Sequence, residues 1–134
     1  MPGIDESLLH AMRIPGARGA SVVDWISGLA LGTIGDPPGG DHEAAAAEAA
    51  ELARSALESR AFTPVTGSGT APPQDERPVE DLVVTTQDAY HVLRFVDTPF
   101  DSSVFLHLWV DRIDGNLALA RIRLAETAHG LVLG

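Results

Sequence analysis

The stretch Asp41-His42-Glu43-Ala44-Ala45-Ala46-Ala47-Glu48-Ala49-Ala50-Glu51-Leu52-Ala53-Arg54-Ser55-Ala56-Leu57-Glu58-Ser59-Arg60-Ala61-Phe62 decides how this chain folds. Alanine, leucine and glutamate propagate helix well and neither proline nor glycine interrupts the run, so it predicts one helix over 41–62. Asp41 suits its N-cap, and Glu43 complements the helix dipole. At 3.6 residues per turn, Leu52, Ala45, Ala56, Ala49, Ala53, Ala46, Leu57, Ala50 and Ala61 form one arc, and Glu48, Glu51, Arg54, Ser55 and Glu58 hold the opposite one. Only Leu52 and Leu57 in that arc are large. Alanines recurring about every four residues let another backbone come close by ridge-into-groove packing. Two readings follow: the alanines pack on the chain's own sheet, or they form a seam with a second copy of the helix. The arc covers about half the circumference, more than one sheet needs, and this width favours the seam. The expected dimer interface is then Ala45, Ala46, Ala49, Ala50, Leu52, Ala53, Ala56 and Leu57.

Upstream, Ile4, Leu8, Leu9 and Met12 mark a short amphipathic helix over 5–13, stopped by Pro15-Gly16. Strands at 19–24 and 29–34 flank Trp25-Ile26-Ser27-Gly28, a hairpin turn containing glycine. Gly35 to Gly40, with two prolines, ends the second strand. Downstream, the proline- and glycine-rich run 63–78 can build neither helix nor central strand and reads as a flexible surface loop. Strands follow at 81–86, 90–96 and 103–110, separated by the polar turns 87–89 and 97–101. In the last of them Val104, Leu106, Leu108 and Val110 point one way and Phe105 and Trp109 the other, with His107 the exception on that second face, so both faces need cover. Asp114-Gly115-Asn116 opens a final helix carrying Leu117, Ala120, Leu124, Ala128 and Leu131, with Gly130 a candidate stop.

The order is therefore α-β-β-α-β-β-β-α: an α+β fold, a five-stranded antiparallel sheet with helices on both faces, in one domain over 1–134. A helix of 22 residues would run about 33 Å, against about 20 to 27 Å for strands of six to eight residues. The helix should overhang the sheet, and a two-fold axis would pair its overhang and an edge strand at once. Leu82, Val83 and Val84 join the expected interface, because the strand after the loop lacks the charge or proline that protects an exposed edge.

Composition excludes several roles. The 134 residues are 45% hydrophobic with a formal net charge of -10, a field that repels nucleic acid and anionic lipid. There is no cysteine, hence no disulfide and no thiolate chemistry. There is no lysine either, which rules out a P-loop nucleotidase and, with the abundant alanine and glycine, hints at a GC-rich genome. Asp5 and Glu6 precede any apolar run and Asp24 interrupts the stretch from Val22 to Leu31, so neither a signal peptide nor a membrane span is expected, and a cytoplasmic protein is.

The order of elements, with Ile14-Pro15-Gly16-Ala17-Arg18-Gly19-Ala20, Val23-Asp24, Gly28-Leu29-Ala30 and Asn116-Leu117-Ala118-Leu119-Ala120-Arg121, resembles the roadblock/LC7 family over nearly the whole chain. That resemblance implies a profilin-like sandwich that homodimerises through its long helix and the following strand. It also implies a partner: bacterial members serve small Ras-like GTPases as activating partners or scaffolds, and in actinobacteria often accompany a sensor kinase. The chain departs from the family in the longer, proline-rich run 63–78 and in its brief first helix.

No catalytic constellation competes with this reading. Gly67-Ser68-Gly69-Thr70 follows a helix and lacks a phosphate loop's strand-turn-helix setting. His10, His42, His91, His107 and His129 share no metal-ligand spacing, so neither metal nor cofactor is expected. His91 and His107 fall in adjacent strands, where half-buried histidines are more often structural than catalytic. Asp24 and Asp111 read as turn residues. Arg18, Arg94, Arg112 and Arg121 read as paired within the chain, although one could serve as an arginine finger. Trp25 is the candidate partner contact, since an aromatic residue in a polar turn either anchors a partner or folds onto the core. The expected function is a non-catalytic homodimeric regulator or scaffold of a small GTPase. The rival is a profilin-like small-molecule sensing module, which requires a cavity lined by Phe95, Phe105 and His107.

Overall fold

A computed structural model describes residues 3–62, 79–96 and 103–133. The run 63–78, with its Gly67 to Thr70 segment, and the turn at 97–101 lie outside the described residues. The elements are α1 (Ile4–Met12), β1 (Ala17–Asp24), β2 (Leu29–Gly35), α2 (His42–Glu58), β3 (Asp81–Thr85), β4 (Ala89–Val96), β5 (Val104–Asp111) and α3 (Leu117–Leu133), in the expected order. Short 3-10 turns occupy Pro38–Gly40 and Arg60–Phe62.

Local chemistry sets the boundaries. Gly16, at φ +82°, turns the chain out of α1 where any side chain would strike the backbone of Gly115. Asp41 Oδ1 accepts from the amides of Glu43 and Ala44, at 2.9 and 3.3 Å, and so caps α2. Asn116 Oδ1 accepts from Leu119 N at 3.0 Å and starts α3, which continues through Gly130 to Leu133. The long helix is shorter than its sequence predicts. It ends at Glu58 because Ser59 is extended (φ -77°, ψ 126°), with its hydroxyl donating to Ser55 O at 2.6 Å. Its 17 residues span about 26 Å at 1.5 Å per residue, which an eight-residue strand matches. The expected overhang is absent.

The sheet runs β2-β1-β5-β4-β3, antiparallel throughout. A hairpin (β1, β2) and a meander (β3, β4, β5) meet at the β1–β5 pair, so β2 and β3 are the edges. β3 lies where its apolar sequence placed it. α1 and α3 pack together on one face, over a core that holds Val104, Leu106, Leu108 and Val110 from β5, with Leu8, Leu124 and Leu131 from the helices. The other face carries α2, which lies chiefly over β2 and β1. Beneath it Ala46, Ala49, Ala50 and Ala53 pack with Val23, Leu93, Phe95 and Phe105. None of the described helices is long and apolar enough to cross a membrane.

Candidate functional site

Because α2 lies chiefly over β1 and β2, an open groove of about 400 Å³ lies between the helix and the far strands. Ala45, Glu48, Ala49 and Leu52 form its helical wall, Pro38 and Gly39 close one end, and Val84, Thr86, His91, Leu93 and His107 form its floor and outer wall.

The alanine arc divides along this line. Ala46, Ala49, Ala50, Ala53 and Ala56 are buried within the protomer, Ala50 and Ala53 completely. Their fit against the sheet is the reason for their small size, and their side chains have next to no surface left for a second chain. Ala45 and Leu57 are half-buried and Leu52 is 43% exposed. On the edge strand Leu82 is half-buried, while Val83 and Val84 are each 38% exposed.

The groove floor is aromatic and uncharged. His91 Nδ1 and His107 Nε2 lie 3.0 Å apart, one ring donating and the other accepting. They are diagonal neighbours, since His91 pairs with Trp109 in register and His107 with Leu93. His91 stacks on Trp109 with centroids 5.7 Å apart and planes 7° from parallel. The Arg18 guanidinium lies 4.4 Å from the Trp109 ring centroid. Trp109 Nε1 donates to Asp36 O at 2.9 Å, an approach open because Gly19 has no side chain to fill the space. Burial pushes the His107 pKa down to about 3, with His91 and then His42 adding to the fall. Burial also lowers His91, partly opposed by Asp88. Both rings are held neutral and suited to contact.

The other candidates make contacts within the protomer. Trp25 is half-buried, edge-on to Phe95 at 5.8 Å and 86°, and its carbonyl accepts from Arg54 Nη1. The exposed apolar residue of that turn is Ile26, at 71%. Asp24 Oδ1 accepts from Ile26 N and from Ser103 Oγ, and Asp111 Oδ1 from Ile113 N, as turn residues do. Each of the four singled-out arginines has a partner in its own chain: Arg18 with Asp36, Arg94 with Glu80, Arg112 with Thr86 O and the Tyr90 ring, and Arg121 bidentate with Asp81. Among the described residues no group of three His, Cys, Asp or Glu is placed to hold a metal. Phe95 and Phe105 are buried with ring centroids 6.1 Å apart, and His107 lines the groove without them.

No family model matches the sequence, and no characterised protein matches it by sequence comparison. Solved structures do match its shape. MglB in a tetrameric arrangement superposes with a TM-score of 0.72 at 18% identity, covering 96% of this chain and 85% of that one. Myxococcus xanthus MglB gives 0.73 at 16% identity, covering 96% and 91%. A roadblock/LC7 domain from Streptomyces avermitilis gives 0.60 at 20% identity, covering 90% and 87%. With the same three helices about the same five-stranded antiparallel sheet, the chain has the roadblock/LC7 fold.

Proposed function

We propose that the protein is a homodimeric, non-catalytic regulator or scaffold of a small Ras-like GTPase. The observation that carries the dimer is the uncovered half of the α2 face, an apolar groove continuous with the free edge of β3. A second copy related by a two-fold axis would lay its own α2 along that groove and pair β3 with β3, satisfying both at once. The seam differs in composition from the one the helical wheel suggests. Ala45, Leu52, Val83, Val84 and the rim of Ala49 supply it, while Ala46, Ala50, Ala53 and Ala56 set how closely α2 sits on the sheet. The GTPase role draws on the sequence resemblance and on the fold shared with MglB and the Streptomyces domain.

Light scattering tests the dimer. Leu52→Arg and Val84→Arg each put a charge where close approach is needed while leaving the protomer core intact, and are expected to halve the solution mass. Ala53→Arg is unsuitable, because Ala53 is fully buried in its own chain and the variant would unfold. Mixing the wild-type protein with the Ras-like GTPases of the same genome, with co-elution and GTP hydrolysis as readouts, tests the partner. Absence of both a complex and a rate change with every one of them rejects the role.

A further inference from the structure

The opposite face of the molecule carries a second feature. Two clefts of about 330 and 340 Å³ lie between α1 and α3, and they share His10, Glu126 and Thr127, so they run on as one trough. One end holds Arg13 and Arg123 over a wall of Ile14 and Pro15; the other holds Glu6, Ser7 and Gly130. His10 on α1 and Arg13 at its C-cap sit one turn apart, and Arg123 and Thr127 one turn apart on α3, and all four line the trough. Neither Arg13 nor Arg123 forms an ion pair, ring contact or side-chain hydrogen bond with a described residue, whereas Arg18, Arg54, Arg94, Arg112 and Arg121 all do; Arg60 is likewise without one, but it does not line this trough. Two like charges brought to one cleft repel each other until an anion joins them. In a chain of net charge -10, neither member of this pair has a carboxylate partner among the described residues.

We propose that the α1–α3 trough binds an extended segment of a partner protein that is acidic at one end, with an Asp or Glu side chain of that end between Arg13 and Arg123. Guanidinium groups match a carboxylate through paired N–H donors, which fixes position as well as charge. Three features select the occupant. The trough is elongated, so it fits an extended peptide better than a small ion. It is basic at one end and acidic at the other, which sets the direction of the segment. Glu126, within the trough, opposes a dianion such as phosphate more than a single carboxylate. Thr127 Oγ1 donates to Arg123 O at 3.0 Å, which leaves its lone pairs free to accept a peptide N–H. This site stands apart from the α2 groove, across the sheet, and does not depend on dimerisation or on the GTPase reading.

The experiment is an NMR titration of the 15N-labelled protein with three probes: an eight-residue alanine-rich peptide with one Glu near one end and one Lys near the other, the same peptide with Gln for Glu, and inorganic phosphate. The Glu peptide is expected to give saturable shifts at the Arg13 and Arg123 Nε–H and at the Thr127 amide, at least tenfold tighter than the Gln peptide. Arg13→Gln and Arg123→Gln, both at exposed positions, should each weaken it tenfold while preserving the spectrum elsewhere, and Leu52→Arg should leave it unchanged. No saturable shift in the trough, equal binding of the two peptides, or phosphate binding more tightly than the Glu peptide would each overturn the proposal. Shifts confined to His91 and Leu52 would place the contact in the α2 groove and overturn it as well.

Discussion

The two faces of this sheet are covered in different ways. On one, α1 and α3 bury large side chains, Leu8, Leu106, Leu108, Leu124 and Leu131, and leave exposed the β3 edge, where Val83 is 38% exposed. On the other, a single helix of alanines lies chiefly over β1 and β2 and leaves Leu93, His91 and Val84 bordering a groove. Small residues bring a helix near and narrow its footprint; large ones hold it off and widen it. The first face is packed throughout the protomer core, whereas the second leaves a groove that the proposed dimer would cover.

The largest effect should separate the faces outright. Leu108→Ala removes a fully buried side chain beneath α1 and α3 and is expected to cost about 2–5 kcal/mol. Leu52→Ala, on the groove wall, should cost less than about 0.5 kcal/mol in the protomer while weakening self-association. Urea denaturation of each variant at matched concentration, paired with light scattering, measures both quantities. Equal costs for the two would erase the distinction.

Much of this architecture was legible in the sequence, and its limits are physical. The element order follows from periodicity and turn chemistry, and the two-sided apolar pattern of Val104 to Val110 correctly asked for cover on both faces. The exposed edge followed from the uncharged run Leu82 to Val84. The end of α2 was not legible, because Ser59 stops it through a local hydroxyl bond rather than through glycine or proline. Nor was the division of the alanine arc, since a helical wheel shows which residues share a side but not how far across the sheet the helix lies. The His91–Trp109 stack depends on strand register, and Arg13 and Arg123 come together from opposite ends of the chain. Charges spaced one turn apart, His10 with Arg13, were the one local hint of that trough.

A smaller effect concerns pH and again divides the faces, since the α1–α3 core contains no histidine while the α2 side holds His107. Above pH 6.5 both the folded and the unfolded chain keep this ring neutral, and it imposes no cost. Below 6.5 the unfolded chain takes up a proton that the fold refuses until about pH 3. Stability is therefore lost as pH falls, by about 1.4 kcal/mol per unit from this group, or about 2–3 kcal/mol between pH 6.5 and 4.5. His91, also lowered, acts in the same direction. His107→Gln keeps a hydrogen-bonding group facing His91 and removes the titration, so its stability should fall less steeply over that window than the wild type's. Parallel pH profiles for the two proteins would show that the groove floor is not where acid acts.

The smallest effect tests what holds the narrow helix in place. Having few large side chains to anchor it, α2 depends more on its ends than α3 does. Asp41→Ala removes the acceptor for the Glu43 and Ala44 amides and is expected to cost about 1 kcal/mol. Asn116→Ala removes the corresponding cap of α3 at a similar cost in total stability. The consequences should differ in extent. α3 is pinned by Ala120, Leu124, Ala128 and Leu131, so fraying there stops within a turn, whereas fraying from Asp41 passes through Ala44 and Ala45 before the first fully seated alanine at Ala46. Amide hydrogen exchange should accelerate across the first two turns of α2 in Asp41→Ala but only at the first turn of α3 in Asn116→Ala. Matching exchange patterns would mean that alanine packing anchors a helix as firmly as leucine does, and the contrast between the faces would then rest on the groove alone.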